Sequence, residues 1–177
     1  MFAPTLTDPT NVPDIRLVQN NVFPNYDVAL DWLLLSNGQL DDTQALATAV
    51  IIALGTNALA SDDDVLPDPD STDRCGWWGD LDAALIWNGW PIGSKLWLLR
   101  RSKIVPASQG VASTLSMVTS YIRLALQPFV DRKICSGFDV WATRVDKQSI
   151  DALIRIYRGP LREIELRYAM LWDAMVT

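Results

Sequence analysis

Residues 139–168 read DVWATRVDKQSIDALIRIYRGPLREIELRY, and three alternating runs stand out in them: DVWATRV at 139–145, IDALIRIY at 150–157 and LREIELRY at 161–168. A period of two places successive side chains on opposite faces of a strand. In the second run Ile150, Ala152, Ile154 and Ile156 share a face. In the third, Ile164, Leu166 and Tyr168 share one face while Glu163, Glu165 and Arg167 occupy the other. VDKQS is a hairpin-length link, and Arg158-Gly159-Pro160 turns the chain again. Antiparallel strands joined this closely need a cover for one face.

The cover is legible upstream. Residues 108–130 predict a long helix whose buried stripe is Leu115, Val118, Ile122, Ala125, Leu126 and Phe129. Pro128 lies near its end and is expected to shorten or kink it. Residues 41–57, DDTQALATAVIIALGTN, predict a second helix, with Asp41 or Asp42 as cap and Gly55 and Asn57 as stop. Its apolar face is Leu46, Ala49, Val50, Ala53 and Leu54. Residues 27–35, DVALDWLLL, alternate as a strand before the Asn37-Gly38 turn, and 15–18 form a shorter one. Residues 94–102 predict a short helix that turns Leu96, Trp97 and Leu99 inward, and 169–177 end the chain as a short helix or irregularly. The resulting fold class is α+β: a small antiparallel sheet, made of the C-terminal three strands plus an N-terminal strand, packed by two main helices. Residues 1–13, with three prolines, read as an extended N-terminal arm without regular structure that a partner could order, and 14–177 as a single α+β domain.

Composition excludes several functions. A chain of 177 residues buries roughly 70% of its unfolded surface, enough for a real core. The formal net charge is -6, which opposes phosphate recognition, so no nucleic acid is expected as a partner. No run approaches the ~18 apolar residues of a membrane span, and no basic-then-apolar leader opens the chain, so synthesis and retention in the cytoplasm are expected. Histidine is absent, which removes histidine-based triads and dyads. With Cys75 and Cys135 as the two cysteines, a zinc site lacks ligands. The two glutamates, Glu163 and Glu165, sit on one solvent-facing side of a strand, a poor arrangement for the paired carboxylates of a lysozyme-like hydrolase. Neither catalytic nor cofactor residues are expected.

Between the helices the sequence changes character. Residues 59–75 form an acidic loop with two prolines and six aspartates before Arg74, and fit neither helix nor strand. Closely spaced carboxylates invite a calcium reading, but the EF-hand order is missing and no glutamate closes the loop, so a solvated loop is expected and no metal. Next come DRCGWWGD at 73–80 and GSKLWLLRRSK at 93–103. Gly76 and Gly79 indicate tight turns around Trp77 and Trp78. The paired rings admit two readings, a plug that locks the loop onto the domain or a contact with a neighbouring protein. Arg74, Arg100 and Arg101 are ordinary surface charge, or pair with the acidic loop or with a partner protein, and an arginine buried against Asp80 would be costly to remove.

These two segments resemble the signature of the Mu-like phage baseplate family, in which Arg-x-Gly-Trp-Trp-Gly-Asp is followed by Gly-Ser-(Arg/Lys)-Leu-Trp-Leu-Leu. The resemblance runs from about residue 14 to the end, and the double tryptophan between two glycines is its specific part. Here Cys75 stands where the family carries a second basic residue, and Trp87 and Trp90 are additional. The resemblance implies a wedge and sheath-initiator protein, related to the small wedge proteins of P2-like and T-even contractile-tailed phages. It implies other baseplate wedge proteins and the tail sheath protein as partners, and about six copies around the tail axis. The location implied is the tail baseplate of the virion, reached from the host cytoplasm during assembly. The mechanism implied is strand addition, in which a sheath arm pairs with an open sheet edge. The interaction motif to carry forward is Arg74, Gly76, Trp77, Trp78, Gly79 and Asp80 with Gly93, Ser94, Leu96, Trp97 and Arg100. Two other functions compete: an assembly adaptor or chaperone that leaves the particle, and the disfavoured hydrolase.

Overall fold

A computed structural model describes residues 2–6, 15–19, 28–32, 36–38, 45–80, 82–86, 89–106, 113–146, 149–159 and 161–171. For the strands at 2–6, 15–19, 28–32 and 161–171, and for Ala84 and Ile86, it describes the backbone alone. In chain order the elements are β1 (Phe2–Leu6), β2 (Ile15–Gln19), β3 (Val28–Trp32), α1 (Ala45–Gly55), α2 (Ala83–Ile86), α3 (Thr114–Asp131), β4 (Gly137–Arg144), β5 (Ser149–Arg158) and β6 (Leu161–Leu171). Tight 3₁₀ turns lie at Trp78–Asp80 and Lys95–Leu99.

The alternating runs form the sheet that their pattern predicts. β5 pairs antiparallel with β4 on one side and β6 on the other, with a register shift at Ile156/Tyr157. Ile150, Ala152, Ile154 and Ile156 point into the core. Above them lies α3, which buries Val118, Ile122, Ala125, Leu126 and Phe129, and α1 adds Val50, Ala53 and Leu54. The expected stripe on α3 is therefore the observed one, with Leu115 only half-buried at its start. The α+β class holds, with the sheet ordered β1-β6-β5-β4.

Three details differ. The N-terminal strand that joins the main sheet is β1, whose partners in β6 run from Phe2↔Met170 to Leu6↔Leu166. Residues 2–6 are thus an edge strand rather than part of an arm without regular structure. Their pairing partner lies at the far end of the chain, beyond the reach of any local pattern. The strand at 28–32 instead pairs with 15–19 in a separate two-stranded sheet. The long helix α3 begins at Thr114. Ser113 is extended and its hydroxyl caps the Ser116 N–H at 3.1 Å. Thr114 is tied back to the incoming chain, donating its hydroxyl to the Lys103 carbonyl and accepting from the Val105 N–H, each at 2.9 Å. Residues 169–171, expected as a short helix or irregular end, continue β6, and expectations for the cap at 41–42, the stretch 107–112 and residues 172–177 fall outside the described residues.

Pro128 does not end α3, which continues to Asp131. So close to the terminus the missing donor deletes little helix. The chain then leaves through Lys133 at φ +60. Its N–H bonds the Val130 carbonyl at 2.9 Å, and the Ile134 N–H bonds that of Phe129 at 2.8 Å. This is a Schellman closure with lysine where glycine is usual.

Candidate interaction site

The final turn of a helix leaves carbonyls without intrahelical partners. At the end of α1, the segment Gly93–Trp97 answers them. The Ser94 hydroxyl donates to the Leu54 carbonyl at 2.8 Å, and the Ser94 N–H to the Thr56 carbonyl at 2.9 Å. In return the Ala58 N–H bonds the Ser94 carbonyl at 3.0 Å, forming a short parallel bridge. Gly93 allows this approach: a Cβ there would lie 2.7 Å from the Ala58 nitrogen, and its φ is +122. The Trp97 indole N–H donates to the Ala58 carbonyl at 2.8 Å. Leu96 and Leu99 enter the main core, while Trp97 and Leu98 pack with Ala60 in a smaller cluster. The expected helix at 94–102 is a 3₁₀ turn over Lys95–Leu99, long enough to send Leu96, Trp97 and Leu99 inward as foreseen.

The tryptophan loop is pinned to the other side of residues 58–60. Ala60 N–H bonds the Arg74 carbonyl at 3.0 Å, and a Cβ at Gly76 would meet Leu59 at 3.2 Å. Cys75 and Gly76 both have positive φ, +52 and +98, so the chain turns sharply into the rings. The 3₁₀ turn closes on itself: Trp77 N–H donates to Asp80 Oδ2 at 3.0 Å and Asp80 N–H to the Trp77 carbonyl at 2.9 Å. Asp80 Oδ1 is buried without a hydrogen-bond partner among the described residues. No arginine bonds Asp80 there; its partner is the backbone of the turn. Gly79 is buried under the Trp77 ring, and a Cβ on it would fall 2.1 Å from that ring. Trp78 lies against Trp77, with centroids 4.8 Å apart, yet is 77% exposed. The two rings differ in setting: Trp77 is half-buried over Gly79, and Trp78 faces outward.

The charges nearby bind the acidic loop to this frame. Arg74 spans the loop's neck, donating to the carbonyls of Ala60, Ser61 and Asp62 and lying 3.4 Å from the Asp62 carboxylate. Lys95 Nζ donates to Asp64 at 2.6 Å and to the Ser61 hydroxyl at 2.8 Å. Arg101 reaches Asp68 at 3.5 Å. Arg100 is exposed and reaches the Asn57 side chain at 3.5 Å. Burial is the largest influence on the Asp64 carboxyl and works against its charge. The Lys95 bond, the Ser61 N–H and the Lys95 charge together outweigh burial, so its pKa is lowered. Other aspartates bond the loop's own backbone, Asp68 to Asp70 N–H and Asp73 to Cys75 N–H. Among the described residues, no three acidic or cysteine side chains gather as a metal would need.

The structure therefore brings Arg74, Gly76, Trp77, Trp78, Gly79 and Asp80 into one loop. Gly93, Ser94, Leu96 and Trp97 form a second segment, and residues 57–60 lie between the two. Arg100 stands at the margin. The pairing of Lys95 with Asp64 is not legible in the sequence, although the lysine lies inside the Gly-Ser-Lys-Leu-Trp run and the aspartate inside the acidic loop. Of the extra tryptophans, Trp90 packs edge-on against Phe129 at 5.0 Å under the Arg132 guanidinium, and Trp87 lies outside the described residues.

Residues 46–161 match the family described as Phage protein GP46. The chain belongs to the GP46 family. A similar protein, the "Baseplate protein gp46" of Escherichia phage Mu, is 39% identical over 110 residues, or 57% of this chain and 66% of that protein. The match thus spans just under two thirds of the Mu protein's length. Both signature segments, α3, β4 and β5 lie within the stretch matched to the GP46 family.

Proposed function

We propose that this GP46-family chain is a structural component of a contractile phage tail baseplate, a wedge part that transforms no substrate. It acts as one α+β domain whose main sheet includes β1, is retained in the virion after assembly in the host cytoplasm, and is present in about six copies per tail. It binds other wedge proteins and templates the first ring of tail sheath by strand addition. The observation that carries the reading is Trp78, a large ring held outward on a braced turn. Exposed tryptophans of this kind are typical anchors of protein interfaces. The name of the Mu relative points the same way.

Strand addition needs an open edge, and the two ends of the main sheet are unequal. β1 carries Pro4, which lacks a ladder donor and blunts an edge. β4 carries no proline and ends the sheet on the other side. The Val145 N–H bonds the Ser149 carbonyl, which sets the phase of the β4–β5 ladder. Counting back by twos, the N–H and C=O groups of Phe138, Val140 and Ala142 point away from β5. We assign the sheath strand to that edge.

The test is phage assembly with Trp78→Ala. The expected result is folded protein, few infectious particles, and tails lacking the chain or the sheath. Full infectivity with normal particles would sink the proposal, as would absence of the unmodified chain from purified virions, which instead fits an assembly chaperone.

A further inference from the structure

Resting on the reading of Trp78 as a docking residue, we infer that its partner is a basic protein segment that lays an arginine or lysine across the indole. Two independent observations lead there. The first is charge. Residues 58–82 hold eight aspartates against one arginine and no lysine. Arg74, Lys95 and Arg101 pair with Asp62, Asp64 and Asp68. Asp63, Asp70, Asp73 and Asp82 have no cationic partner among the described residues, and Arg100 and Lys103 are exposed cations without a carboxylate partner there, so the loop that carries Trp78 and the segment that braces it together keep a net negative charge. Such a field selects a positive partner and steers its approach. It also repels nucleic-acid backbones and anionic lipid surfaces.

The second observation is how three other tryptophans among the described residues are held. Arg132 lies 4.9 Å over the ring of Trp90, and Arg155 lies 5.1 Å over that of Trp141. Trp97 is buried and hydrogen-bonded. Trp78 presents its ring to solvent with no cation over it among the described residues. An indole face attracts guanidinium and ammonium groups, more strongly when desolvated. Leu59, 54% exposed and beside Gly76, offers an apolar neighbour for the stem of such a side chain.

The experiment uses full-length chain in assembling phage and has two arms. In the first, unmodified chain competes with a D63N/D70N/D82N variant for places in purified particles. The variant is expected to be under-represented by about tenfold, since three modest charge contacts sum to that order. In the second, a photo-crosslinking phenylalanine derivative replaces Trp78, or Leu59 if the first substitution blocks incorporation, and the captured segment is sequenced. Expected is a segment with lysine or arginine at or next to the crosslinked residue. Equal incorporation in the first arm, or capture of a segment without a basic residue in the second, overturns the inference and leaves the baseplate proposal standing. If the unmodified chain is missing from particles, the baseplate proposal itself fails, and this inference with it.

Discussion

Gly79 and Trp77 act as one unit, because the ring occupies the space a side chain on the glycine would need. Gly79→Ala should lower stability by about 2 kcal/mol, the usual cost of forcing extra volume into a packed site. Trp78→Ala, at an exposed position, should change it by less than about 0.5 kcal/mol. Urea unfolding of both variants checks the contrast; equal losses would mean that Trp78 also serves as a plug. The Gly-Trp-Trp-Gly-Asp motif was legible in the sequence, but the division of labour between its rings was not. That division follows from Asp80 closing the turn on the Trp77 N–H, a choice that spacing alone does not encode. Likewise Gly93 reads as a loop glycine until its 2.7 Å approach to Ala58 is seen.

At the scale of elements, the end of α3 and the root of the acidic loop each carry a prediction. Lys133 occupies a left-handed position that costs a side-chain-bearing residue energy. Lys133→Gly should therefore raise stability by about 0.5–1 kcal/mol, seen as a higher melting midpoint. No gain would mean that contacts of the lysine offset its backbone cost. The acidic loop is joined to the 3₁₀ turn by Lys95 and Asp64. Because the folded chain lowers the pKa of Asp64, it holds that proton less tightly than the unfolded chain does. The pair's contribution is thus present above the ordinary carboxylate value of 3.8 and is lost as the pH falls below it through the folded value. Lys95→Ala should destabilise by less than about 1 kcal/mol near neutrality, because the pair is partly solvated. That difference from the unmodified chain should vanish in acid, as denaturant midpoints across the pH range would show. The helix stripe from Val118 to Phe129 and the alternation at 150–157 were readable because each element repeats its own period against one core. β1 was not readable, since FAPTL is short, contains proline, and is defined only by its pairing with residues 166–170.

For the whole molecule, the sheet has one helix-covered face and two unlike borders. Ala142 sits on β4 with its N–H directed away from β5, so a proline there removes an outward donor while sparing the β4–β5 ladder. Ala142→Pro should fold, with a loss of about 1–2 kcal/mol, and should give baseplates that fail to nucleate sheath. Fully sheathed tails from this variant would move strand addition to another border or remove it. In the proposed function, neighbours grip this chain at an exposed ring and an open strand. The most direct measurement is a cryo-EM reconstruction of the baseplate in intact tails. The expected result is a foreign strand hydrogen-bonded along Gly137–Arg144 and another protein covering the Trp78 ring. A baseplate in which this chain is present with both surfaces bare would contradict it.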